Sequence, residues 1–299
     1  MKALKAVESI DYLKLLFLSS IWAGSFICIE VALQEYSFLF IAFVRIFFAA
    51  LFFLPIIYFK KLTFPKDAKT WRIIILAALL NNSLPFSLLA WGQQYINAST
   101  ASIVLAVGPF IALILSHFIT KDEKFTFFKL LGVIFGFLGI VLLLADGFNS
   151  DNINAFYGQI AVLFASMGYI ASGLLLRKLH NISSIITSSS MFICASLILF
   201  PFVLYFDTFI YESYLNTAFY ALIFLSLIPT ACASIIRIKI IQSVGVQFMS
   251  LVTYLIPLFT IFWAWVIFDE SPKDITYISL FLVLLGLFIR KIKIKQKTF

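Results

Sequence analysis

The sequence predicts an all-α integral membrane protein of ten transmembrane helices in two inverted five-helix repeats. Three observations predict it. The chain of 299 residues is 63% hydrophobic and 12% charged, with 36 phenylalanines, whereas charged residues make up about a quarter of a soluble domain. Apolar runs able to cross about 30 Å of hydrocarbon, roughly 20 residues each, recur along the whole length and leave no room for a soluble domain. With no water to satisfy loose backbone groups, such runs are helices. Finally, the stretches Ala98 to Glu123 and Gly245 to Glu270 each place a serine seven positions before a proline, Ser102 with Pro109 and Ser250 with Pro257, and each ends in two acidic residues. Self-similarity of this kind marks a repeat.

Spans are expected at about 13–33, 38–59, 72–93, 98–119 and 127–145, then at about 156–177, 184–205, 216–238, 244–267 and 275–291. The first follows Lys2 and Lys5 and lacks a clear small-x-small cleavage site, so it is a span and not a removed signal. The second carries Arg45. The third is unusually polar, with Asn81, Asn82, Ser83, Pro85, Trp91, Gln93 and Gln94. The fourth holds Pro109, and the fifth holds Gly132 and Gly136, a GxxxG pattern extended by Gly139 that allows close helix contact. Asp146 to Asn154 is the one polar linker, dividing a first repeat (1–145) from a second (155–299). The sixth span offers Ser166, Tyr169 and Ser172, the eighth Thr230, Ser234 and Arg237, and the ninth Gln247, Thr253, Tyr254 and Pro257. After the tenth, the basic tail RKIKIKQKTF suits an anionic inner leaflet.

Charge sets the orientation. The net charge is +8, which on a soluble chain would suggest nucleic acid but on a membrane protein reports topology. With a cytoplasmic N-terminus, all basic residues except Arg45 and Lys273 fall in inside segments, and the outside segments hold Glu35, Asp146, Asp151, Asp207, Glu212, Asp269, Glu270 and Asp274. Both termini are therefore expected in the cytoplasm, in a bacterial inner (plasma) membrane. An odd number of spans per half inverts the second repeat relative to the first, the architecture of many secondary transporters, which bind substrate near the midplane between repeats.

Several residues are candidates for function. Pro109 and Pro257 each remove a backbone hydrogen bond near mid-helix, as hinges or as static kinks. Glu30 and Arg45 are the only charges well inside spans, within reach of each other, and read either as a gating or coupling pair or as a static ion pair. Trp22, Asn81, Asn82, Trp91, Ser102, Tyr169, Thr230, Ser250 and Tyr254 are candidates for a substrate cavity, whose neutral polar character suits a polar or zwitterionic metabolite better than an ion. His117 and Asp122 have the H-x4-D spacing of a membrane acyltransferase acid-base pair. The second repeat has Trp265 at the matching place, no phosphate loop accompanies them, and no enzymatic activity is expected. Cys28, Cys194 and Cys232 lie in apolar runs, odd in number and without CxxC spacing, so neither a disulfide framework nor a metal site is expected. No cofactor is implied. The expected partners are a small-molecule substrate, the bilayer and protons as a coupling ion, with no nucleic acid.

The chain resembles the drug/metabolite transporter superfamily, in its ten-helix members with two EamA domains. The marks are Trp22-Ala23-Gly24-Ser25-Phe26, similar to the family's WGS-F; Arg45 followed by Ile46-Phe47-Phe48-Ala49-Ala50, similar to its RF--A; and Thr253-Tyr254-Leu255-Ile256-Pro257 followed by Asp269-Glu270, similar to its YL-P to GE. The resemblance covers nearly the whole length. It implies a basket of ten helices working by alternating access, with a cavity lined by the first, third, fourth, sixth, eighth and ninth spans, in a group whose members commonly export amino acids and related metabolites. Import or exchange is the alternative within the same fold. Ala23 separates the tryptophan and glycine that the family usually keeps adjacent, Glu30 stands where many members have lysine, and Asp122 and Asp269 replace a frequent glycine.

Overall fold

A computed structural model of the chain describes residues 8–108, 110–111, 127–149, 153–179, 181–207, 216–243, 249 and 252–289. All regular structure among them is helical. Helix α1 is Ser9–Ala32 and α2 is Phe38–Phe59; α3 (Ala68–Ala78) continues through a π-helical segment, Leu79–Ser83, into α4 (Leu84–Gly92). Then come α5 (Ala98–Leu105), α6 (Phe127–Asn149), α7 (Asn154–Leu176) and α8 (Ser184–Phe206). Helix α9 (Thr217–Leu225) runs through a second π-helical segment, Ser226–Cys232, into α10 (Ala233–Ser243), followed by α11 (Val252–Phe268) and α12 (Asp274–Ile289).

Among the described residues, six helical segments are long and apolar enough to cross a membrane: Ser9–Ala32, Phe38–Phe59, Ala68–Gly92, Asn154–Gly173, Ser184–Phe206 and Thr217–Arg237. Three shorter apolar helices join them, Leu130–Asp146, Val252–Phe268 and Asp274–Ile289. The burial pattern suits lipid as the outer solvent. Large apolar side chains such as Leu54, Phe59, Leu197, Phe202 and Phe281 point outward, while Ser19, Asn82, Ser99, Ser172 and Ser189 are buried between helices.

The helices pack as α1 against α9 and α11, α7 against α4 and α5, α2 against α8, and α6 against α12. The two π segments also correspond in their packing, the one at Ser226–Cys232 against α2 and the one at Leu79–Ser83 against α8. Close seams rest on glycine. A Cβ on Gly92 would stand 2.7 Å from the Gly158 carbonyl oxygen, and one on Gly158 would stand 2.8 Å from that of Gly92, so α4 and α7 touch through backbone. The GxxxG pattern on α6 is used within the molecule, because Gly286 of α12 abuts the Gly132 carbonyl and the Gly136 backbone.

The second π segment has a local cause. Pro229 has no N–H, so the carbonyl of Leu225 four residues earlier loses its usual helical donor. The π turn gives it the backbone N–H of Thr230, five residues on, and the Thr230 hydroxyl also donates to Leu225 O at 2.8 Å. Such bulges are rare, expose backbone groups and are frequent at functional sites.

One end of the bundle is tied together by its connecting segments. Ser37 Oγ donates to Asp207 Oδ2 at 2.6 Å, Asn97 Nδ2 donates to Glu270 Oε1, and Lys273 Nζ pairs with Asp146 Oδ2 at 3.3 Å. Each tie joins a segment of the first half to one of the second. Tyr36 Oη and Asn216 Oδ1, 3.3 Å apart, add a fourth contact of the same kind.

Candidate functional site

The polar centre of the molecule gathers around the two π segments. Trp22 on α1 donates its indole N–H to the carbonyl of Pro229 at 3.0 Å, satisfying a backbone group that the bulge exposes. Arg45 on α2 donates from Nε to Thr230 Oγ1 at 2.8 Å, so one threonine both closes the proline gap and anchors the arginine. The guanidinium carbon lies 3.8 Å from the centroid of the Phe86 ring on α4, within cation–π range. Phe86 in turn meets Tyr169 of α7 edge-on, with centroids 6.4 Å apart. In the first π segment Asn81 Nδ2 donates to Asn82 Oδ1 at 2.6 Å, and Ser172 Oγ of α7 donates to Asn81 Oδ1 at 2.9 Å.

Trp22, Asn81, Asn82, Tyr169 and Thr230 are therefore brought to one region. Others lie elsewhere. Trp91 sits two turns further along α4 in a T-shaped contact with Tyr95. Ser102 is buried and donates to the carbonyl of Ser99 at 2.8 Å. Tyr254 gives its hydroxyl to the carbonyl of Leu287 at 2.7 Å, which ties α11 to α12 and leads away from the centre. Pro257 is a buried residue inside α11. Pro109, Ser250, His117 and Asp122 lie outside the described residues.

The expected pairing of Glu30 with Arg45 is not what the structure contains. Glu30 Oε2 accepts from the backbone N–H of Ala98 at 2.8 Å, at the start of α5, where the helix dipole favours a carboxylate. Arg45 turns instead toward Thr230 and Phe86. The reason is competition: an orphan N–H at a helix start binds a carboxylate without the entropy of ordering a second long side chain. Asn97 caps the same helix by accepting from Thr100 N at 3.0 Å and holds Glu270 through its amide. Burial pushes the Glu270 carboxyl above its ordinary value, and the Asn97 amide draws it partly back.

Phe86 and Pro229 escaped the sequence reading. The signal was present, since Pro85 and Pro229 stand mid-span in the third and eighth spans, but the serine-to-proline spacing drew the comparison to the fourth and ninth.

A polar recess lies at the tied end, a pocket of about 190 Å³ between Asn97, Thr100, Asp146, Gln159, Lys273 and Thr276.

The model of the EamA-like transporter family matches residues 10–145 and again 153–290. The chain belongs to the EamA-like transporter family. This EamA-like chain is a membrane protein of a transporter family, consistent with its apolar surface and helical spans. It is 21% identical over 271 residues to a Bacillus subtilis (strain 168) protein described as "Uncharacterized transporter YoaV", covering 90% of this chain and 92% of that protein. An Archaeoglobus fulgidus protein described as "Uncharacterized transporter" is 25% identical over 300 residues, 97% of this chain and 100% of its own length. A Buchnera aphidicola (subsp. Schlechtendalia chinensis) "Uncharacterized transporter in trpA 3'region" is 28% identical over 186 residues, and the match spans 62% of this chain and 60% of that one. A solved crystal structure that is 13% identical superposes with a TM-score of 0.68, covering 95% of this chain and 98% of the other. That likeness concerns the fold alone.

Proposed function

We propose that the chain is a secondary transporter that exports small polar metabolites, amino acids or related compounds, across a bacterial inner membrane. Ten spans form two inverted repeats, at 1–145 and 155–299, and substrate binds between them at the π segments. The observation that carries this reading is the paired disposition of the halves. Contacts of α1 with α9 and α11 have counterparts in contacts of α7 with α3 and α5. Prolines repeat as well: Pro55 and Pro201 are each the eighteenth residue of α2 and α8, and Pro85 and Pro229 mark the two interrupted helices. Helices interrupted in corresponding places of two halves are the recurring signature of a transporter binding site. The ties among Ser37, Asp207, Asn97, Glu270, Asp146 and Lys273 join only segments that the charge distribution assigns to the outside, which supports cytoplasmic termini.

The test is accumulation in proteoliposomes offered a labelled amino-acid panel, with and without an imposed proton gradient. Asn82→Ala and Tyr169→Phe are expected to reduce flux by at least about tenfold. Wild-type flux that survives both substitutions unchanged would remove the π segments from the substrate path. Counterflow from preloaded vesicles separates export from uptake or exchange, and dependence on the gradient decides whether protons drive it.

A further inference from the structure

Arg45 presents an arrangement that packing alone does not account for. It is 6% exposed, and among the described residues its one hydrogen bond is from Nε to Thr230, 2.8 Å away. Among those residues its two Nη groups, four N–H donors, make no hydrogen bond or ion pair. They are not sealed away either, since among the described residues the sealed side-chain atoms without a partner belong to Ser87, Gln93, Ser99, Gln159, Ser190 and Ser279. Among the described residues no carboxylate is paired with it. Glu30, which the sequence places within reach, is engaged with Ala98.

A buried guanidinium normally has an anion beside it, because removing the charge from water costs several kcal/mol unless it is paired. Here the Phe86 face and one hydroxyl are its only compensation. The geometry leaves a planar fork with its outer donors free, the shape that grips a carboxylate through two parallel N–H···O bonds. Its neighbours come from both halves: Phe86 from α4 and Thr230 from the second π segment. Tyr169 on α7 lies within electrostatic reach of Arg45 and also of Arg237, the other cation of this region.

We propose that Arg45 is the anion-binding residue of the central site and that the transported metabolite carries a carboxylate, which the Nη fork receives above Phe86. This rests on the transporter reading and narrows its substrate class. Thr230 and Phe86 are positioning residues that hold the fork in place.

The test uses the purified full-length chain in proteoliposomes, with counterflow of a labelled amino-acid mixture competed by single unlabelled amino acids and by their C-terminal carboxamides. The carboxylate forms are expected to compete at least about tenfold better than the amides of the same side chain. Arg45→Gln should raise the half-maximal concentration for the carboxylate form by a similar factor while leaving the amide nearly unchanged, and Arg45→Lys should fall between. Monodispersity and thermal unfolding of each variant show whether it folds, and the amide comparison on the wild-type protein needs no variant. Equal competition by acid and amide, or a folded Arg45→Gln that keeps wild-type discrimination, overturns the proposal while transport stands. Absence of any counterflow by the wild-type protein overturns the transporter reading itself, and the proposal with it.

Discussion

At the scale of single residues, Thr230 has two tasks on one oxygen. It donates to the carbonyl that Pro229 orphans and accepts from Arg45, both at 2.8 Å. Thr230→Val keeps the shape and removes both side-chain bonds, leaving a charged donor unpaired. The expected loss is about 2–3 kcal/mol of stability, read as a lowered thermal midpoint in detergent, whereas Thr230→Ser should stay near wild type. Glu270 gives a pH effect of known sign. Its folded-state pKa lies above its unfolded value, so its contribution is fully present below the ordinary carboxylate pKa, about 4.3, and is lost as pH rises through the higher folded value. Glu270→Gln, which retains a carbonyl for the Asn97 amide, should therefore flatten the decline in thermal midpoint between acid and neutral pH. A pH profile parallel to wild type would refute the assignment. Arg45 was legible in the sequence as an intramembrane charge, but its partner was not: several groups lay within reach of a long side chain, and only the tertiary placement of α5 removes Glu30 from the competition.

The elements were legible wherever apolar length decides them. Helices α1, α2, α7 and α8 fall close to the expected spans because each is a run of roughly twenty apolar residues bounded by polar ones. The interruptions of the third and eighth spans were harder to read, since a π turn changes only one residue's worth of register and leaves composition untouched. The glycine seams also separate the two kinds of information. GxxxG marks a surface for close approach, yet its partner, Gly286 of α12, is a tertiary fact. Because Gly92 and Gly158 contact through backbone atoms that cannot move aside, Gly158→Leu should force α4 from α7 and cost about 1–3 kcal/mol or more. Reduced expression of monodisperse protein together with a lowered unfolding temperature would show it; an unchanged midpoint would mean that the seam opens without cost.

For the whole molecule, orientation is directly testable. With the native Cys28, Cys194 and Cys232 replaced, a cysteine introduced at Lys273 should react with a membrane-impermeant maleimide on intact cells, and one at Lys60 should react only after lysis. The reverse pattern would invert the topology that the positive-inside rule assigns. The ties at one end of the bundle have a further consequence. Ser37–Asp207, Asn97–Glu270 and Asp146–Lys273 all bridge the halves and act in parallel, so a motion that parts the halves at that end strains all three together. Bonds loaded in parallel fail as a set. Separation at that end is then a single step, all or none, and not a gap that widens by degrees.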